Sequence, residues 1–215
     1  MSKSIYLTID DSPSKHTISK VDFLTSHQIP AIFFCRGEYI PQFKDHLIYA
    51  IQHGFLLGNH SYSHPYFSQI SLAECIHEIK TTEALIDDCY LQAGINRPCK
   101  MIRFPYGDQG SSETFAKIQR FLKEEQFVPL DFGATLNQDF IDAAWTWDTH
   151  DYKRTMINDS NAYQEMLERH YKTNPLTDEI ILLHDFDHNH HLFEVTMAFL
   201  LQKEATFLPF NVREI

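Results

Sequence analysis

Short runs rich in β-branched and aromatic residues recur along the chain: IYLTI (5–9), AIFFC (31–35), FLLG (55–58), MIRF (101–104), FVPLDF (127–132), AWTW (144–147), EIILL (179–183) and ATFLPF (205–210). Between them lie segments of helical period near 17–28, 41–53, 71–93, 111–125, 158–173 and 191–203. Strands alternating with helices form parallel βαβ units. Two helix starts carry their own signals. Pro41 suits a first helical position, and SLAE (71–74) spells a capping box in which Ser71 and Glu74 satisfy each other's backbone N–H groups. Eight candidate strands predict an α/β fold, a distorted (β/α) barrel with seven or eight parallel strands. It is irregular because the fifth and sixth strands are joined by a short link without a helix. A doubly wound open sheet is the alternative.

The barrel reading has a consequence for chemistry, because such folds carry their sites at the C-terminal ends of the strands. Polar clusters fall there five times: Asp10 and Asp11 after the first strand, His60 and His64 after the third, 103–108 at the end of the fourth, 148–152 after the sixth, and His184 with Asp185 after the seventh. Five independent clusters on one rim weigh more than any single motif.

Composition narrows the partners. With 215 residues, 43% of them hydrophobic, the chain can bury one large core, so one domain over 1–215 is expected. A net charge of −11 argues against a nucleic acid and against docking on an anionic membrane. No run approaches the roughly 20 apolar residues of a membrane helix, so no membrane insertion is expected. The start MSKSIYLTIDD carries no apolar leader. A complete chain is therefore expected in the cytoplasm, and one trimmed at its N-terminus outside it. The four cysteines show no CxxC spacing and read as reduced thiols.

His60 and His64 stand four apart, close enough to aim at one point, but 13 histidines in 215 residues produce such a pair about once by chance. Setting must decide. Two imidazoles and one carboxylate form a three-ligand set suited to catalytic zinc, which Asp11, His60 and His64 could supply. Loop histidines bonded to backbone and a solvated acidic turn fit the same residues. In TIDDSP the end of a strand can turn both carboxylates toward one site, whereas Asp87 and Asp88 sit in mid-helix as a surface pair. The run HDFDHNHH (184–191) reads beyond Asp185 as a solvated rim loop, so His188, His190 and His191 are not assigned to metal. Tyr66, Phe67, Phe104, Trp145 and Trp147 are candidates for stacking platforms at the rim or for core.

TIDD (8–11), HSYSH (60–64), RFPYG (103–107), DTHDY (148–152) and LLH (182–184) follow one another in the order of five motifs, and AIFFCRGEYI (31–40) and HGFLLGNHSYSHP (53–65) surround the first two. In these the chain resembles the NodB-like polysaccharide deacetylases, metal-dependent carbohydrate esterases, over nearly its whole length. The resemblance implies a hydrolase of C–N bonds that removes acetyl groups from an N-acetylated carbohydrate. It implies Asp10 as base, Asp11, His60 and His64 as ligands of one divalent metal, and His184 as acid. Zinc is the first choice of metal, with cobalt, nickel or manganese as alternatives. Arg103 is expected to orient Asp10 and Asp148 to orient His184. The N–H of Tyr106 would serve the oxyanion, while Leu182, Tyr152 and Pro105 would line the substrate pocket. An O-acetyl esterase, a cyclic amidase and a non-catalytic sugar-binding homologue are the alternatives. Two positions depart from the pattern. Ser12 replaces a usual glycine, which would strain a turn of positive φ, and Tyr152 replaces a usual tryptophan.

Overall fold

The computed structural model describes residues 2–131 and 140–212. Its centre is β1 (Ser4–Ser12), nine residues of which eight are buried, as a strand covered on both faces requires. It pairs in parallel with β2 (Ala31–Cys35), which pairs with β3 (Leu56–Asn59). A short antiparallel pair joins β4 (Leu130–Asp131) to a strand near the C-terminus. On its other side β1 pairs with β6 (Asp178–His184), which pairs with β5 (Trp147–Asp148). β7 (Thr206–Phe207) adds to the start of β1, and β8 (Asn211–Val212) is the partner of β4.

The expected parallel α/β architecture is present, but the strand count differs. Among the described residues six strands form the parallel sheet, and β4 with β8 lies apart from it. MIRF does not become a strand, because only Ile102 bridges to Asn59 and only Lys100 to Phe127. Ile102 also accepts a hydrogen bond from Ala143 N at 2.9 Å, so the wall continues by single contacts rather than a ladder. Phe132, the last residue of the expected fifth strand, lies outside the described residues.

The helices lie close to their expected places: α1 (Thr17–Ser26), α2 (Ile40–Gln52), α3 (Leu72–Ala93), α4 (Phe115–Glu124), a short α5 (Arg154–Ile157), α6 (Ser160–Thr173) and α7 (His190–Gln202). The Ser71–Glu74 capping box starts α3, with Ser71 N donating to Glu74 Oε2 at 2.8 Å, and Gly94 ends it at φ 70°.

Side-chain alternation sorts each strand into two faces. Ile5, Leu7 and Ile9 join Phe33, Ile181 and Leu183 in the main core, together with residues of α1, α2, α6 and α7. Tyr6, Ile32, Phe34, Met101 and Ile180 form a separate inner core. Gly58 is required there, since a Cβ at that position would lie 2.5 Å from the Phe34 ring. Continuing the inner face of β1 upward gives Thr8 and Asp10, and continuing that of β6 gives Leu182 and His184. The alternation that builds the inner core therefore delivers the base and acid candidates to one end of it.

Candidate active site

Arg103 is fully buried above the inner core, its guanidinium 4.5 Å over the Phe34 ring. Nη1 donates to Thr8 Oγ1 at 2.7 Å and to Asp10 Oδ1 at 2.8 Å, Nη2 donates to Ala144 O at 3.2 Å, and Nε donates to Ala143 O. Four acceptors and an aromatic face compensate a cation that would otherwise be costly to bury. Held through Oδ1, Asp10 keeps Oδ2 3.6 Å from His60 Nε2.

The segment after β3 folds back on itself through left-handed residues at Ser61 (φ 62°) and His64 (φ 62°). His64 N donates to Ser61 Oγ at 3.1 Å, and Ser61 N donates to Asn59 Oδ1 at 2.8 Å. This turn brings the two imidazoles together, with Nε2 atoms 3.2 Å apart. His60 Nδ1 lies 2.7 Å from Arg103 O. That carbonyl fixes Nδ1 as the donor and leaves Nε2 with a lone pair, the usual arrangement behind a ligating imidazole.

Asp11 completes the group: one ligand atom from each of Asp11, His60 and His64 lies within 4.8 Å of the others. Its Oδ1 is buried without a hydrogen-bond partner and sits 3.7 Å from His64 Nε2. Burial pushes the Asp11 carboxyl up, and burial together with the neighbouring His60 pulls His64 down to about 3, so that imidazole is neutral. An orphaned carboxylate oxygen beside two imidazole nitrogens is a donor set that could hold a divalent metal. Asp11 is itself left-handed (φ 57°), and Ser12 is not among the residues of positive φ. The strain expected at Ser12 therefore does not arise, because the turn places its unusual backbone one residue earlier. Ser12 is instead buried, with its hydroxyl unpartnered.

On the opposite wall His184 ends β6. Its Nδ1 lies 2.7 Å from Asp151 Oδ1, and its own N–H donates to Asp151 Oδ2 at 2.9 Å. Asn189 Nδ2 donates to the same Oδ2 at 3.1 Å. Burial opposes charge on His184, but Asp151, Asp11 and Asp10 outweigh it and hold its pKa up at about 9. The imidazolium is the dominant form at neutral pH.

The partner of His184 is thus Asp151, which corrects the expectation of Asp148. The physical reason is the turn after β5. The chain reverses through His150 at φ 54°, so Asp148 Oδ1 accepts from His150 N at 2.7 Å while Asp151 swings beneath β6. Asp148 remains at the cleft, with Oδ2 3.0 Å from His150 Nδ1 and within 3.4 Å of the Tyr152 hydroxyl that donates to it.

A cleft of about 410 Å³ joins these parts, lined among others by Asp10, Asp11, His60, His64, Tyr106, Asp148, Tyr152, Leu182 and His184. Tyr152 lays its ring 4.8 Å from that of His184 at 70°. Tyr106, left-handed at φ 58°, projects outward and stacks on Tyr66 at 3.9 Å. Pro105, expected on the cleft wall, is buried and does not line it, because the tight turn that presents Tyr106 faces the proline inward. Trp145 and Phe104 line the cleft, Phe104 from within the buried cluster it shares with Phe67, and Trp147 belongs to the main core. Sequence reading missed Asp151 and Arg36. Asp151 stood inside a quoted motif with two aspartates to choose from; Arg36 follows β2 and carried no signal beyond its charge.

Comparison with known proteins agrees with this fold. The polysaccharide deacetylase family profile matches residues 1–126. The chain is 35% identical over 106 residues to a chitooligosaccharide deacetylase of Bradyrhizobium sp., covering 49% of this chain and 47% of that protein. It is 26% identical over 184 residues to a peptidoglycan-N-acetylglucosamine deacetylase of Bacillus cereus, covering 85% and 60%. The matches span between 22% and 60% of the first four curated relatives. The crystal structure of a polysaccharide deacetylase from Bacillus cereus superposes with a TM-score of 0.70 at 23% identity, over 97% of this chain and 92% of that one. With more than half its length matched by the family profile, the chain belongs to the polysaccharide deacetylase family.

Proposed function

We propose that this protein hydrolyses the acetamide of an N-acetylated sugar unit in an oligo- or polysaccharide and releases acetate, using one divalent metal, zinc in first place, held by Asp11, His60 and His64. The observation that carries this reading is one cleft in which a carboxylate locked to a buried arginine faces an imidazole locked to a buried aspartate, with the Asp11, His60 and His64 donors beside them.

Amide hydrolysis needs a proton taken from water, a place for the oxyanion and a proton given to a poor amine leaving group. When bound, the metal would polarise the acetyl carbonyl and acidify water. Asp10, with Oδ1 occupied by Arg103, offers Oδ2 as the proton acceptor. His184 carries its proton on the imidazolium that Asp151 stabilises and delivers it to the departing nitrogen. The N–H of Tyr106 stands on the turn that faces the triad and serves the oxyanion. Leu182 and Tyr152 form the apolar wall that receives the acetyl methyl. Base and acid sit in opposite electrostatic settings, as paired roles require.

Acetate release from N-acetylglucosamine oligomers, O-acetylated xylan fragments and a cyclic amide, each with and without chelator, tests the reading. Chelator-sensitive release from the N-acetyl oligomers alone supports it. Turnover confined to the O-acetyl or cyclic substrate would replace the reaction, and sugar binding without turnover would make the protein a lectin-like homologue. No helix among the described residues is long and apolar enough to cross a membrane.

A further inference from the structure

Arg36 belongs to no part of the mechanism above, yet it lines the cleft and its guanidinium approaches a member of the ligand set. Its Nη1 lies 4.0 Å from Asp11 Oδ1, beyond hydrogen-bond reach, so the guanidinium faces the carboxylate without consuming its lone pair. Nη2 donates to Ser63 O at 3.2 Å, one residue before His64, and also pairs with Glu38. The guanidinium packs 4.8 Å over the Tyr39 ring, and the Arg36 backbone N–H donates to Ser12 O at 2.8 Å. Its Nε is buried with no partner. The side chain is 21% exposed, which limits solvent screening of its charge.

We infer that Arg36 and Glu38 form a charge pair that sets how tightly the Asp11, His60 and His64 triad holds its dication, Arg36 weakening the hold and Glu38 restoring part of it. The inference rests on the proposed metal role of that triad. Before an ion enters, Arg36 shares with His184 the role of counter-charge to Asp11 and, through Ser63, steadies the turn that presents His64. Once a dication takes the position between the ligands, the same guanidinium stands as a like charge a few ångströms from it. Its repulsion acts on the bound state and not on the free one, so it lowers affinity and keeps the ion exchangeable. Glu38 faces the guanidinium from the other side and offsets part of its field. A residue that only held the loop in shape would act differently, since every change to it would weaken binding.

Zinc affinity of chelator-stripped full-length protein, measured by competition with a chromogenic chelator, separates the two. Arg36→Gln, which keeps an N–H for Ser63 O and removes the charge, is expected to bind zinc at least about tenfold more tightly. Glu38→Gln is expected to bind several-fold more weakly, and Arg36→Lys to stay near the wild type. Melting curves in chelator check that all three variants fold. Weaker binding by Arg36→Gln, or equal affinity across the series, would overturn the inference while leaving the metal role of the triad standing. A wild-type protein that binds no zinc would overturn both.

Discussion

Replacing Asp151 by Asn removes the charge that holds His184 protonated while keeping a side chain of the same shape. The gap between an ordinary histidine at 6.5 and His184 at about 9 corresponds to about 3 kcal/mol in favour of the imidazolium. Its side chain is only 12% exposed, so water screens little of this. Asp10 and Asp11 contribute part, but the 2.7 Å contact with Asp151 is the strongest opposing influence to burial. Without Asp151, burial carries the imidazole to its ordinary value or below. In the protein without bound metal the charged fraction at pH 7.5 then falls from about 97% to about 10% or less, a tenfold loss of the acid form. Lost orientation of the ring deepens the fall to about 10² or more in kcat. Initial rates of acetate release against pH, with zinc saturating, read the effect, and Asp148→Asn serves as the control, expected to lose less than about tenfold. A near-normal Asp151→Asn enzyme beside an inactive Asp148→Asn enzyme would refute the reasoning. The same pair has a thermal signature. Because the folded pKa of His184 is raised, its stabilisation is complete below pH 6.5 and lost as the pH rises through about 9. The gap in melting temperature between wild type and Asp151→Asn, taken in chelator, is therefore expected to close toward pH 10.

Four other outcomes follow from the geometry. Asp10→Asn is expected to retain zinc and lose turnover, whereas His60→Ala loses both, as metal analysis of dialysed protein beside acetate release will read. Arg103→Met strips the buried Asp10 carboxylate of its partner and is expected to cost about 3–5 kcal/mol in urea unfolding. Lys20→Met, which leaves the fully buried Asp185 with only Ser14 and Thr17 as side-chain partners, is expected to cost a similar amount by the same assay. It should also lower activity, since Asp185 N donates to Asp10 O at 2.8 Å. Ser71→Ala opens the capping box of α3 and is expected to cost about 1 kcal/mol in the same unfolding measurement, with activity unchanged.

Much of the site was legible because chain order and strand ends locate it. Asp10 lies in the last three residues of β1, His60 and His64 follow β3, Asp148 closes β5 and His184 closes β6. Alternation along a strand then fixes which side chains share a face, and this places Asp10 with Thr8 and His184 with Leu182 without knowledge of tertiary structure. Sequence alone failed where backbone conformation decides. Choosing between Asp148 and Asp151 depends on a left-handed histidine at position 150, a conformation that histidine seldom adopts and no local pattern announces. The same holds for Ser12, since the positive φ of that turn falls on Asp11. MIRF has the composition of a strand but gains only isolated bridges, because ladder pairing is a property of its neighbours. Arg36 was invisible as a site residue because its meaning comes from the approach of Asp11 and Ser63, 25 and 27 positions away in the chain.

The most direct test of the account is acetate release from N-acetylglucosamine oligomers by chelator-stripped protein before and after zinc is restored, with bound zinc counted in the same sample. One zinc per chain and acetate release that returns in proportion to it is the predicted result. Zinc bound at one per chain with no acetate from any N-acetylated oligomer would contradict the proposed reaction, and full activity in the stripped protein would contradict the role given to Asp11, His60 and His64.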